Sequence, residues 1–125
     1  MKKAILALAL AAVSGGACAQ WVRVSEGESG TVLYVDPSTI RKNGNLRRYW
    51  ELHDLAKADK IGNLSYRAVT EADCKEERSR GLQEDKFRGP MASGEISGSI
   101  RSPGEWSYVA PGTTGWKVLL FVCSR

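Results

Sequence analysis

A single histidine and three cysteines in 125 residues leave little with which to build a metal centre. A typical zinc site takes four ligands from His, Cys and carboxylate side chains. No Walker or dinucleotide-type glycine motif occurs, and Gly94, Gly98 and Gly104 are too scattered to cradle a phosphate. No cofactor is expected. Long apolar runs are also scarce. Ala4 to Val13 is an unbroken run of ten residues, well short of the roughly 20 that span a bilayer. No transmembrane segment is therefore expected. The basic excess is thin as well. The net charge of +4 includes Lys2 and Lys3; without them 16 basic residues face 14 acidic ones. A nucleic-acid partner is not expected, because such proteins concentrate their basic residues on one face.

What is present begins with a leader. Lys2 and Lys3 form a positive start, Ala4 to Val13 an apolar core, and Ser14 to Gly16 a helix-breaking stretch. Ala17-Cys18-Ala19 then fits the small-residue cleavage pattern of a secretory signal peptide. Residues 1–19 are read as that signal peptide, and residues 20–125 as one exported domain in the periplasm or on the outer surface of a Gram-negative cell. A second reading concerns Cys18. A lipobox would make it the lipidated first residue of the mature chain, but Gly15 stands where Leu is usual. Once the leader is removed, Cys74 and Cys123 remain as an even pair in an oxidising compartment. A disulfide between them is predicted, with two buried free thiols as the alternative.

The mature chain reads as α+β: one small domain, an antiparallel sheet of five to six strands with a C-terminal helix packed on one face. Trp21 to Val24 and Thr31 to Val35 are β-rich runs separated by a turn at Glu26 to Gly30. Asp36-Pro37-Ser38-Thr39 stops the second strand and can cap a short helical turn. Asn43-Gly44 is the strongest hairpin signal. Long strands are expected at Leu46 to Ala58 and Leu64 to Cys74. In the second, Leu64, Tyr66, Ala68, Thr70, Ala72 and Cys74 share the more apolar face. Lys75 to Arg88 reads as a charged edge strand, with a helix over Cys74 to Gln83 as the alternative. Gly89 to Gly104 reads as a mobile loop around a short strand at Glu95 to Ile100, and Trp106 to Val109 as another short strand. After an N-cap at Thr113 or Thr114, Trp116, Leu119, Leu120 and Cys123 fall on one helical face. A strand over Lys117 to Cys123 is the rival.

Candidate chemistry is sparse. His53 stands beside Asp54, but neighbouring strand residues point to opposite faces. A structural or surface role for His53 is the expectation; a small hydrolase using His53 with nearby carboxylates is the competing one. Arg41, Lys42, Arg47 and Arg48 flank the Asn43-Gly44 turn and form a candidate basic patch for an acidic polymer or protein surface. A solvated hairpin tip is the plainer alternative. Trp21, Trp50, Trp106 and Trp116 are expected to anchor the core rather than form a binding platform.

The order of several pieces resembles the surface-adhesin protein E-like family of exported bacterial proteins. They are Trp21-Val22-Arg23-Val24-Ser25, the run Tyr34 to Ile40, Arg48 to Leu52, Ser65-Tyr66, Cys74, Trp106, Pro111-Gly112 and Val122-Cys123. The resemblance implies an antiparallel sheet with a C-terminal helix, surface exposure, and adhesion to host extracellular-matrix proteins. It carries no ligand-binding residue onto this chain. The leading expectation is thus an exported, non-enzymatic binding module. Its partner would be a protein or acidic polymer held on the basic hairpin or a sheet edge, and edge pairing would also allow a homodimer. The alternative is a soluble periplasmic protein bound to an envelope component.

Overall fold

The computed structural model describes residues 19–125. The expected leader lies outside the described residues apart from Ala19, and so does the lipidation alternative at Cys18. Eight strands follow in order: β1 (Val22–Glu26), β2 (Val32–Val35), β3 (Arg41–Asn43), β4 (Leu46–Asp54), β5 (Ser65–Asp73), β6 (Arg78–Phe87), β7 (Ile96–Ile100) and β8 (Ser107–Tyr108). One helix, α1 (Thr114–Cys123), closes the chain. Every pairing is antiparallel, in the order β1-β2-β4-β5-β6-β7. The short β3 and β8 add to β4 and β6.

Local chemistry explains the interruptions. Pro37 begins a 3-10 turn over Pro37–Thr39, and Asp36 caps it by accepting from the Ser38 amide. That turn separates β2 from β3, so the two run along different halves of β4. The β3–β4 loop is Gly44-Asn45, one residue later than Asn43-Gly44 suggested. Gly44 takes a φ of 61°, and glycine first in a two-residue loop with positive φ is the II′ pattern that suits hairpins. Irregularities in pairing lie between Arg23 and Ser25, between Val69 and Thr70, and between Lys86 and Phe87. Such bulges increase local twist and let a sheet curl.

One face of the curl holds the main buried cluster. Leu33, Val35, Tyr49 and Ala72 from the sheet meet Val118, Leu119 and Val122 from α1. Thr113 caps the helix by accepting from the Trp116 amide. The buried stripe is therefore not the one read from Trp116, Leu119, Leu120 and Cys123: Leu120 is 54% exposed. Helical spacing could not choose between two overlapping apolar stripes in a segment apolar nearly all round. Cys74, just past β5, joins Cys123 at the end of α1, with a Cα–Cα distance of 5.7 Å across 49 residues of sequence.

Two further expectations are corrected. The segment after Cys74 is neither a helix nor a sheet edge. A turn leads into β6, which lies between β5 on one side and β7 and β8 on the other. Its charges are satisfied within the sheet, by Arg78 with Asp73 and Arg80 with Glu71. The tryptophans do not form the core: none of the four is among the buried residues, and of them only Trp116 packs against the core cluster.

Candidate functional site

Period-two alternation sends Leu46, Arg48, Trp50 and Leu52 of β4 to the face opposite α1. Their cross-strand partners on β5 are Asp73, Glu71, Val69 and Arg67. On β6 the row continues with Arg78, Arg80, Gln83 and Asp85. No helix covers this face; Leu52 is fully buried on it, and the rest is a surface of interlocked charges and aromatic rings.

Arg80 meets Glu71 at 3.0 Å, and Arg78 meets Asp73 at 3.2 Å. Both guanidinium groups stack on Trp106, at 4.6 and 4.5 Å from its ring centroid. Arg67 reaches Asp85 at 3.1 Å and lies 5.5 Å from the Trp50 ring and 5.0 Å from Phe87. Arg101 reaches the other Asp85 oxygen at 2.8 Å, and Ser99 donates to it as well. Burial alone pushes the Asp85 carboxyl upward, but the bonds from Ser99 and Arg67 and the charge of Arg101 outweigh it and hold it below the ordinary value. Asp73 is held low chiefly by the Glu76 amide, against burial, with help from Arg78. These carboxylates stay ionised and keep the arginines in place.

Two arginines on this face stand apart. Arg41 and Arg48 are direct cross-strand partners, and both are exposed. Arg41 donates to the carbonyls of Ser38 and Ile40. Among the described residues neither forms an ion pair. Like charges placed opposite each other in a sheet repel, and an anion seated between them would relieve that repulsion.

The structure splits the four basic residues of the hairpin. Arg41 and Arg48 share the uncovered face. Lys42, also exposed, pairs in register with Arg47. Arg47 is only 6% exposed; it stands across from Ala72, with its guanidinium donating to the carbonyls of Gly44 and Leu46. It rivets the turn rather than adding to a surface.

Next to Arg48 along β4, Trp50 enters an open groove of about 500 Å³ lined also by Trp21, Asp36, Thr39, Arg67 and Met91. Pairing of Trp50 with Arg67 was beyond the sequence reading, because it needs the β4–β5 register. Strand alternation around each residue was the available signal.

His53 lies on the same side of the sheet as α1, opposite Arg41, Arg48 and Trp50. It pairs with Glu51 at 3.1 Å, two residues away on the same face, not with Asp54. Asp54 instead accepts from the Met91 amide. Glu51 is buried and takes a second hydrogen bond from Thr70. Burial works against a charged imidazole, but the hydrogen bond and charge of Glu51, with the charge of Glu84, raise the His53 pKa overall. These groups border a second open cavity of about 350 Å³. No Ser or Cys stands in hydrogen-bond contact with His53 among the described residues, and nucleophilic catalysis needs such an activated partner. The described residues also contain no group of three or more His, Cys, Asp or Glu placed to hold a metal, and no helix long and apolar enough to cross a membrane.

This architecture matches solved structures. One crystal form of Haemophilus influenzae protein E superposes with a TM-score of 0.68 at 13% identity, covering 87% of this chain and 91% of that one. Protein E from non-typeable Haemophilus influenzae gives a TM-score of 0.63 at 14% identity, covering 92% and 82%. At such identity the likeness concerns the fold. No curated protein matches the chain in sequence. The family model described as surface-adhesin protein E matches residues 21–124. With that match over nearly all the described residues, the chain belongs to the surface-adhesin protein E family.

Proposed function

We propose that this chain is an exported, non-enzymatic adhesin-type module that holds an acidic protein or polymer on the sheet face opposite α1. The observation that carries the reading is the pair Arg41 and Arg48, adjacent across β3 and β4, exposed, and in no ion pair among the described residues; Glu71, opposite Arg48 on β5, is engaged by Arg80. A carboxylate or sulfate group bridging them would turn a like-charge repulsion into two charge-assisted hydrogen bonds. Trp50, next along β4, adds an aromatic surface beside the charge. Host extracellular-matrix proteins are the first partner class to try, because of the family to which the chain belongs.

The test is binding of the exported protein to immobilised matrix proteins and to a sulfated polysaccharide, over a range of salt. Wild type should bind in a salt-dependent manner, and R41Q/R48Q should lose at least tenfold in affinity while keeping its melting temperature. H53A should bind as wild type. Equal binding by R41Q/R48Q and wild type would remove the arginines from the site; lost binding in H53A would move the site to the other face. Protease shaving of intact cells, with a periplasmic protein as lysis control, separates an outer-surface position from a periplasmic one.

Pairing of two copies along a sheet edge is the second reading. The observation favouring it is β7, an uncharged terminal strand whose Ile96 and Ile100 are 50% and 48% exposed. Unpaired apolar edges invite β-augmentation. Light scattering on wild type and I100K distinguishes a dimer built there from a monomer.

A further inference from the structure

Asp36 is a buried carboxylate, 4% exposed, with no basic side chain as partner among the described residues. One oxygen accepts from the Ser38 amide at 3.0 Å and the Ser38 hydroxyl at 2.6 Å. The other oxygen accepts from the backbone nitrogen of Gln20 at 3.1 Å. This carboxylate, removed from water, is answered only by neutral donors. The arrangement would be stronger still if one of those donors carried charge.

The nitrogen of Gln20 is the atom that leader cleavage would expose. Ala17-Cys18-Ala19 places the scissile bond between Ala19 and Gln20. Ala19 and Asp36 line the same open groove beside Trp21 and Trp50. We propose that this groove is the seat of the chain's own amino terminus: cleavage after Ala19 creates an α-ammonium on Gln20 that pairs with Asp36.

The inference rests on the export reading above. In the cleavage, water adds across the Ala19–Gln20 peptide bond. The new carboxylate leaves with the leader, and the amine stays on Gln20 and takes up a proton. What had been an amide donating one hydrogen bond becomes a cation with three donors, at the same place. Charge-assisted bonds of this kind are shorter and about twice as strong as neutral ones. Processing would thereby pin the first residue of the mature chain beside β1, instead of leaving a loose tail next to the aromatic groove. Capture of an amino terminus by a prepared polar pocket is a recurrent mode of recognition.

Other charges near the seat are few. Arg67 lines the groove but is held by Asp85, and Arg41 donates to the Ser38 carbonyl. Both would oppose a second cation, so the pairing relies on Asp36. The existing donors already hold its carboxyl below the ordinary value in spite of burial, so it is ionised and ready for a partner at neutral pH.

A chemical consequence follows. An amino-terminal glutamine cyclises when its neutral amine attacks its own side-chain amide, releasing ammonia. An amine kept protonated by Asp36 resists that reaction. Lipidation of Cys18 would give the opposite situation, leaving Gln20 nitrogen as an amide two residues inside the chain.

The experiment exports the full chain, leader included, from a Gram-negative host. Intact mass identifies the first residue. A chain starting at uncyclised Gln20 is expected. An acylated Cys18, another start, or a cyclised Gln20 would each overturn the proposal, and the first two would also overturn the predicted cleavage. The pKa of the α-amine is then measured by competitive labelling. An ordinary α-amine titrates at about 7.7–8.0; pairing with Asp36 moves it upward, and labelling at neutral pH should be roughly tenfold slower. D36N should abolish the shift and speed cyclisation; asparagine also serves as a cap, so the turn is preserved. Insertion of one alanine ahead of Gln20 leaves Asp36 intact and should abolish the shift as well. An unshifted amine in wild type, or a shift that survives either change, would refute the site while leaving the cleavage reading intact.

Discussion

Removing the Cys74–Cys123 bridge should cost this domain a large part of its stability. The bond ties the end of β5 to the last residue of α1 and closes a loop of 49 residues. The chain-entropy relation gives about 4 kcal/mol for a loop of that length at 25 °C. Domains of this size have roughly 5–15 kcal/mol in all. At about 4–8 °C per kcal/mol, the melting temperature should fall on the order of 20 °C. The assay is urea and thermal unfolding of wild type and C74A/C123A without reductant, with reduced wild type as the matching control. The helix retains Val118, Leu119 and Val122 against the sheet, so the variant should still fold at low temperature. Its urea slope should rise, because the unlinked unfolded chain exposes more surface. A loss below about 1 kcal/mol would refute the reasoning, since it would mean that the linked and unlinked unfolded chains are equally compact. Reduced wild type and C74A/C123A differing widely would show instead that the substitutions, not the bond, set the change.

Three other outcomes follow from particular contacts. L119A should lose about 2–5 kcal/mol, as buried leucines do, whereas L120A should stay within about 0.5 kcal/mol; similar losses in urea melts would refute the helix orientation. Tyr66 should ionise only near pH 12, because its hydroxyl is bound to the Asp59 carboxylate and partly buried; ultraviolet titration of D59N should bring it back to the ordinary range. His53 has a raised pKa in the folded state, so its contribution to stability is complete below the ordinary value of 6.5 and disappears as pH rises through the folded value. The imidazole resonances of E51Q should titrate at lower pH than those of wild type, and identical curves would exclude Glu51 as the partner.

Much of the fold was legible because it depends on local signals. The Asp36-Pro37 stop, the Thr113 cap, the alternation along Ser65–Asp73 and the cysteine parity each act within a few residues or through composition. Burial on both faces of β5 was less legible. Glu71, Asp73 and Asp85 are buried because Arg80, Arg78, Arg67 and Arg101 come to them from neighbouring strands. In sequence the same residues look like solvated charge, so β6 resembled an edge. The hairpin patch was half legible for a similar reason: spacing gave the four basic residues, but only the pairing of β3 with β4 sorts Arg41 and Arg48 from Arg47. The tryptophans misled because large area suggests burial, while Trp50 and Trp106 are used as platforms for guanidinium groups.

The two faces of the sheet divide the work unequally. The α1 face carries the shape requirement: Val35, Ala72 and Val122 are fully buried, and there volume has to match. The other face also buries Leu52 and Phe87, but around them it is held by ion pairs and ring stacking, which ask for charge balance and reach more than for shape. At 13% identity the likeness to the solved structures concerns the architecture. The sharper guide to a partner is how the arginines of this surface are paired: Arg67 and Arg101 hold Asp85, Arg78 holds Asp73 and Arg80 holds Glu71. Arg41 and Arg48 form no ion pair among the described residues, and they sit side by side. A partner that places negative charge between these two gains attraction and removes a repulsion in one contact, which is why neutralising Arg41 and Arg48 should weaken binding more than neutralising any of the four paired arginines does.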